Sequence, residues 1–302
     1  MPFDKVLVTG GSGLLGRYVV RELKAHGHGV TVLDLKPPEP GVPHIEADIL
    51  DLPAVARAVK GQDAVVHLAA LDLAIQTTQD HFMRVNVQGT WHVLQSAEAA
   101  GIRKVVLTSS VAATGLGEMR ADWPPQYLPV DENHPMRPVH AYSVSKEIVE
   151  DLGASFARRS AMSVLCLRPL LVMFPHTIPK VVQRQRGGYR WLYYYVTPED
   201  TARAFRLALE TTDVRYGACF VGAADNCVEE PTLEMLKRNK IEPFPEVRAP
   251  ALYRKFPRAS VLDTEHAKRI LGYEPTSDWL SLSAEARAAA PLAGGGGTHD
   301  VL

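Results

Sequence analysis

Tyr142 and Lys146 stand four positions apart in a stretch, Tyr142 to Arg159, that reads as a helix. At that spacing the two side chains lie only ~40° apart around the axis, on one face. A phenol with a pKa near ~10 is a poor base at neutral pH, but a cation beside it favours the phenolate. Bringing the phenol to ~7 takes about 4 kcal/mol of differential stabilisation. The product is a general base able to take the proton of an alcohol. Ser110 lies just past the apolar run Lys104 to Thr108, where its hydroxyl can hold the same alcohol oxygen. Proton removal is half of an alcohol oxidation; the other half is an acceptor for hydride.

A place for that acceptor is written near the amino terminus. Thr9-Gly10-Gly11-Ser12-Gly13-Leu14-Leu15-Gly16 joins a short apolar run to a helical stretch. Gly10 and Gly13 let the backbone turn and approach a pyrophosphate with no Cβ in the way. The N–H groups that open the helix, from Leu14, Leu15 and Gly16, face the anion. Gly16 allows close packing of helix on sheet. Asp34 ends the second apolar run, 18 residues after Gly16. A carboxylate there accepts hydrogen bonds from the adenosine ribose hydroxyls and repels a 2′-phosphate, which favours NAD over NADP; Lys36 adds a nearby charge of the opposite sense. The oxidised nicotinamide is also a second cation favouring the phenolate of Tyr142.

The elements that must position these groups alternate in period. Apolar runs at Lys5 to Thr9, Val30 to Leu35, Ala64 to Leu68, Lys104 to Thr108 and Ser163 to Leu167 read as buried strands. Leu14 to Ala25, Leu52 to Val59, Phe82 to Ala100 (closed by Gly101) and Tyr142 to Arg159 read as helices, the last with Val144, Ile148, Leu152 and Phe156 on one face. Strict alternation predicts an α/β fold: a doubly wound parallel sheet, Rossmann in type, with ligands at the carboxyl ends of the strands. The second half is less regular. Val172 to Tyr195 reads as irregular and aromatic, Pro198 to Glu210 as a helix, Ala218 to Val221 as a strand and Thr264 to Leu271 as a short helix. Prolines 231, 243, 245, 250 and 257 punctuate a loop-rich segment. The expected division is a dinucleotide-binding domain over 1–171 and a small C-terminal substrate lobe over 172–292. Residues 197–224 return to the sheet, and 293–302 form a glycine-rich tail.

Taken together these motifs resemble the extended short-chain dehydrogenase/reductases, also called the NAD-dependent epimerase/dehydratase family, from about Lys5 to Trp279. Thr9 to Gly16 is similar to TGxxGxxG and Tyr142 to Lys146 to YxxxK. Val66 to Ala70 is similar to the HLAA strand end, Val85 to Thr90 to NVxGT, and Thr108 to Gly115 to SSxxxxG. Leu167-Arg168-Pro169 is similar to LRP, Val196 to Arg203 to the VxxxDxARA helix start, and Val261 to Pro275 to the C-terminal signature. The resemblance implies that Ser110, Tyr142 and Lys146 are catalytic. It adds Asp48, Ile49, Leu68, Ala69, Ala70, Asn86 and Pro169 to the NAD contacts, beside Tyr142 and Lys146, and it implies a homodimer formed through Phe82 to Ala100 and Tyr142 to Arg159. Two departures bear on substrate. LLVMFP stands where the family has a VYGP-like turn, and only 31 residues separate Arg168 from Asp200. Relatives that grip nucleotide sugars use a longer insertion there, so the layout is closer to the compact uronate dehydrogenases. Arg190 is then a candidate clamp for a substrate carboxylate, and the stretch Leu71 to Thr78, facing the same cleft, offers hydroxyls from Thr77 or Thr78.

Composition narrows the alternatives. Among 302 residues, 46% are hydrophobic and the formal net charge is −1, which leaves no basic field to hold nucleic acid or an anionic membrane. The longest apolar run, Val164 to Phe174, is too short to span a bilayer. Three cysteines without metal-ligand spacing argue against a metal site or a disulfide framework and for the cytoplasm. His67 and Asp200 read as structural, Asp131 and Glu132 as structural or solvated, Tyr193 to Tyr195 as core or cleft lining, and Gly115 to Pro138 as a lid or binding loop. The expected activity is NAD-dependent oxidation of a hydroxyl-bearing carbon of a sugar or sugar acid. One alternative is an NAD-retaining epimerase or dehydratase, although Val111 and Ala112 supply no extra acid or base for dehydration. The other is a non-catalytic NAD sensor, from which the Tyr142–Lys146 pair argues away.

Overall fold

A computed structural model describes residues 3–184 and 192–289. In chain order the first half runs β1 (Lys5–Thr9), α1 (Leu14–Ala25), β2 (Gly29–Asp34), β3 (His44–Glu46), α2 (Leu52–Ala58), β4 (Ala64–His67), α3 (Gln79–Phe82), a π-helical segment Met83–Gln88, α4 (Gly89–Ala99), β5 (Lys104–Thr108), β6 (Tyr127–Leu128), α5 (Ala141–Arg159) and β7 (Ser163–Pro169). The second half adds α6 (Ile178–Arg184), α7 (Pro198–Glu210), β8 (Tyr216–Val221), α8 (Thr232–Arg238), β9 (Glu246–Val247), α9 (Pro250–Lys255), α10 (Glu265–Leu271) and α11 (Trp279–Ala289).

Seven strands form one parallel sheet in the order β3-β2-β1-β4-β5-β7-β8. Because side chains alternate across a strand, the apolar runs bury both faces. Val6, Val8, Val32, Val66 and Val106 enter one core with α1 and α7. Leu7, Leu33, Val65, Val105 and Leu107 enter a second with α2, α4 and α5. The strand order reverses between β1 and β4, and the crevice outside their carboxyl ends is where an open α/β sheet takes its ligand.

Several elements differ from the sequence expectation, each for a physical reason. The edge strand β3 has only three residues, too few for a periodic signal. The helix expected over Phe82 to Ala100 contains the π turn at Met83–Gln88; its closing Gly101 does adopt a left-handed φ of 75°. Of the four residues expected on the core face of α5, only Phe156 is fully buried; Ser145, Val149 and Gly153 carry the rest of that face, leaving Val144, Ile148 and Leu152 half-exposed. Proline misled in the second half. Pro231 and Pro250 open α8 and α9, and Pro179 sits in the first turn of α6. A missing N–H costs nothing in a first turn, so these prolines start helices in segments expected to be irregular. The C-terminal helix α11 was not expected at all. Trp279, at its start, is fully buried edge-on to Tyr195, and its backbone N–H donates to Asp225 at 3.1 Å.

The sheet and the segments after it are tied by polar hubs. Asp200 is fully buried at the start of α7, where Thr197 caps the helix. Its carboxylate accepts from Thr276 and Ser277, backbone and hydroxyl alike, and pairs with Arg203 at 2.8 Å. It is a structural residue, as expected. His67 is likewise a satisfied core histidine, with Thr9 at 2.6 Å and Thr90 at 3.0 Å on its two ring nitrogens. Asp131 accepts from the Tyr127 hydroxyl and the Asn133 N–H, and Glu132 accepts the Phe220 N–H at 2.8 Å.

Candidate active site at the carboxyl edge of the sheet

The glycine loop and the Tyr142–Lys146 pair open onto one cavity of about 1470 Å³. Gly10, Gly13, Leu14, Leu15, Gly16, Leu68 and Ala70 line it on the loop side; Ser110, Tyr142, Lys146 and Pro169 line it on the other. The two halves of the site read from the sequence are thus brought together.

The loop is built by close backbone contacts. Gly10 has a φ of 74°, and a Cβ on it would stand 2.5 Å from the Ala69 nitrogen. A Cβ on Gly16 would stand 2.1 Å from the Gly10 carbonyl oxygen. Gly16 therefore lets α1 close on its own loop rather than on the sheet; it is Gly11 whose Cβ would strike Val32 in β2. Gly13 opens α1 without a side-chain cap, no acidic residue lies in the first turn, and the first bond within the helix runs from the Arg17 N–H to the Gly13 carbonyl. The preceding N–H groups, with the positive end of the helix dipole, suit an anion. Asp34 braces this loop, its carboxylate accepting from the Ser12 N–H at 3.0 Å and the Lys36 N–H at 3.1 Å. Each carboxylate oxygen has a second lone pair, so acceptor capacity remains for a ribose. These features fit a dinucleotide: an unhindered turn, free helix N–H groups and a carboxylate beside them.

Other expected contacts stand differently. Ala69 serves through its backbone, packed against Gly10. Asp48 is exposed and accepts the Leu50 N–H at 2.9 Å, while the Ile49 side chain is buried against Gly89. Asn86 is buried away from the cavity wall: its amide holds the Leu71 backbone through both its oxygen and its nitrogen and donates to the Ser145 hydroxyl. Thr77 does not line the cavity; its hydroxyl is 2.8 Å from His81 Nδ1, and Thr78 caps α3. The same stretch instead contributes Leu71 to Ile75, with Gln79 just beyond. Arg190 lies outside the described residues. Tyr193 and Tyr194 line the cavity and Tyr195 is core, its hydroxyl on Asp225, so the run divides between the two expected roles.

The candidate reacting groups sit on α5 and after β5. Tyr142 packs edge-on to Phe82, centroids 6.0 Å apart. Lys146 is buried, donates to the Thr108 carbonyl at 2.9 Å and stands 5.7 Å from the Tyr142 ring centre. Ser110 holds an extended backbone, its Oγ accepting the Ala112 N–H, and it shares the cavity wall with Tyr142, whose phenoxide its hydroxyl favours. The electrostatics correct one expectation. Burial pushes the Tyr142 phenol up and Asp72 pushes it further, while the Ser110 hydrogen bond pulls it down. Burial also lowers Lys146 to about 8, against an upward pull from Asp72. The protein alone therefore does not acidify the phenol; in a dry site the lysine's charge is itself disfavoured. Beneath them, Arg168 grips Glu150 through two bonds of 2.7 Å, and Glu150 also takes the Ser109 hydroxyl, pinning α5 to β5 and β7.

Asp72, Glu118, Arg120, Val139, His140 and Phe174 also line the cavity. Of these, Glu118 and Arg120 lie in the expected binding loop Gly115 to Pro138, and Asp72 lies in the stretch Leu71 to Thr78 expected to face the cleft. Asp72 was detectable in one way: a residue just beyond a central parallel strand faces the ligand crevice. Glu118 takes the Val139 and His140 N–H groups and so docks that loop on the start of α5.

A doubly wound parallel sheet with a glycine loop and a Ser-Tyr-Lys set on one cavity defines an enzyme of the extended short-chain dehydrogenase/reductase type. The chain belongs to the NAD-dependent epimerase/dehydratase family, whose model matches residues 6–217. It is 27% identical to uronate dehydrogenase of Pseudomonas syringae pv. tomato, over 74% of this chain and 76% of the relative. It is also 27% identical to UDP-glucose 4-epimerase of Corynebacterium glutamicum, over 90% of this chain and 91% of that one. The fold is shared with a short-chain dehydrogenase/reductase superfamily protein from Agrobacterium tumefaciens solved with bound NAD, at a TM-score of 0.70, 24% identity, and 94% and 96% coverage. Among the described residues no helix is long and apolar enough to cross a membrane, and no group of histidine, cysteine and acidic residues could hold a metal ion.

Proposed function

We propose that this protein is an NAD-dependent dehydrogenase that oxidises a hydroxyl-bearing carbon of a sugar or sugar acid. The observation that carries it is the convergence of Ser110, Tyr142 and Lys146 on a cavity shared with the glycine loop. When bound, NAD supplies the acceptor for hydride and a positive ring beside the phenol. Ser110 then orients the substrate hydroxyl. Tyr142 takes its proton as general base, and Lys146, held by the Thr108 carbonyl, favours the phenolate and holds the nicotinamide ribose. The names of the relatives support a sugar substrate. The UDP-glucose 4-epimerase, which this chain matches over the greater length, supports a second reading in which NAD is retained and a sugar carbon is inverted. A panel of free sugars, sugar acids and nucleotide sugars with added NAD separates them: stoichiometric NADH absorbance is expected, whereas an epimer formed without NADH selects the second reading, and no turnover on any of them overturns both.

Two further points belong to the same proposal. The protein acts as a homodimer through α4 and α5, supported by a groove of about 410 Å³ lined by Met83, Val87, Trp91 and Leu152 and by Trp91 being 38% exposed. It works in the cytoplasm, a location supported by three buried free thiols.

A further inference from the structure

The cavity wall carries two carboxylates, and they are placed differently. Glu118 is committed to the loop, accepting the Val139 and His140 N–H groups. The nearby Arg120 is committed as well, to both oxygens of Asp122 and to the Arg137 carbonyl. Lys146 is buried on Thr108. Asp72 has no ion pair among the described residues; its Oδ1 accepts the Ala74 N–H at 2.8 Å, and its Oδ2 takes no bond from any of them. It is exposed on the cavity wall beside the reacting groups, close enough for its charge to act on both Tyr142 and Lys146.

Its position is built rather than incidental. Asn86 clamps the Leu71 backbone at 2.8 and 3.2 Å and donates to Ser145 at 3.0 Å, while Ser145 donates to the Tyr142 carbonyl at 2.6 Å. The chain immediately before Asp72 is thus tied to the first turn of α5. The reaction centre and the carboxylate are held in one frame.

Resting on the dehydrogenase reading above, we infer that Asp72 is the residue that sets substrate charge: it receives a hydroxyl of an uncharged sugar next to the reacting carbon and rejects sugar acids. A free carboxylate oxygen is a strong acceptor for a sugar hydroxyl. A second carboxylate brought to the same wall meets a like charge in a half-dry cavity, where repulsion exceeds its value in water. Among the described residues the wall offers no unpaired guanidinium to clamp a second carboxylate, since Arg120 is already paired with Asp122.

The test compares one aldopyranose with the uronate of the same ring, each with NAD. The full-length protein is expected to favour the neutral sugar by at least about tenfold in kcat/KM, a discrimination of about 1.4 kcal/mol. Asp72→Asn is expected to lower kcat/KM for the neutral sugar and raise it for the uronate, so that the ratio collapses or reverses. Asp72→Ser, smaller and also uncharged, guards against a merely misfolded variant and must move the ratio the same way. Binding of the same pair to the protein loaded with NADH, followed by cofactor fluorescence, reads the preference without turnover. Equal or better use of the uronate by the unsubstituted protein, an unchanged ratio in both variants, or no binding of either saccharide overturns the role of Asp72. Preferential binding of the neutral sugar without NADH formation instead overturns the dehydrogenase reading and leaves Asp72 in place.

Discussion

Asn86 donates its side-chain amide to the Ser145 hydroxyl at 3.0 Å, joining the π turn before α4 to the helix that bears the reactive phenol. Both residues are buried, and the same amide holds the Leu71 backbone. Asn86→Ala leaves a buried N–H and a buried carbonyl unmatched and is expected to cost about 1–3 kcal/mol of stability. Because the residue positions others, kcat should fall by about ten- to a hundredfold while NAD affinity stays within about threefold, a split readable from cofactor titration beside steady-state kinetics.

Tyr142→Phe removes the general base while keeping the ring against Phe82. Turnover should fall by about 10²- to 10⁴-fold with the fold and NAD binding retained. Ser110→Ala tests the other half of the pair. The Ser110 hydrogen bond pulls the phenol down, so its loss raises the pKa, and the pH profile of kcat/KM for oxidation should move to higher pH.

Gly16→Ala puts a methyl group 2.1 Å from the Gly10 carbonyl oxygen, a backbone atom that cannot step aside cheaply. The loop must open, and NAD affinity is expected to fall at least about tenfold, since the helix N–H groups no longer converge on one anion. Isothermal titration with NAD, paired with a melting curve, separates a distorted loop from an unfolded chain.

Burial pushes Glu132 up to about 7 from an ordinary value of 4.5, despite the Phe220 N–H and Arg168 pulling it down. Between those two values the folded chain holds a proton that the unfolded chain has lost, so stability falls as pH rises through this window. The full effect is roughly 3 kcal/mol. Glu132→Gln keeps an acceptor for Phe220 without the charge; denaturant unfolding at pH 5 and pH 8 should show the parent losing roughly 3 kcal/mol relative to the variant across that interval, the buried histidines contributing equally to both.

Leu152 lies on the half-exposed face of α5, beside the groove that includes Trp91. Leu152→Arg is expected to halve the mass found by sedimentation, because a buried unpaired guanidinium is not tolerated at the centre of an interface. A protein that sediments as one chain before substitution refutes the dimer.

Much of this molecule was legible in the chain because its signals are local. A run such as Val6 to Val8, alternating with helical stretches along the chain, marks a strand buried on both faces of a parallel sheet, and Tyr142 with Lys146 share a helix face by geometry alone. Pro198 to Glu210 matched its helix to the residue, since a capping threonine and a first-turn proline mark its start. Other features were not local. The prolines at 179, 231 and 250 open helices, which sequence cannot distinguish from loop punctuation without knowing what the helix packs on. Thr77 turned toward His81, and Asn86 clamps Leu71 and Ser145, contacts that no periodic pattern in the chain marks.

The sequence by itself determined the class of fold and the dinucleotide loop and singled out Ser110, Tyr142 and Lys146 as candidates, since glycine geometry, strand burial and helical spacing are properties of neighbouring residues. Only the tertiary structure decided which charges the cavity keeps. Arg120, Glu118 and Lys146 are engaged by backbone and side chains brought in from elsewhere, and Asp72 is left on the cavity wall with no ion pair among the described residues. Burial, which no single residue encodes, raises that phenol where the Tyr142–Lys146 spacing alone would lower it, for desolvation depends on everything packed around a group and not on its nearest charge.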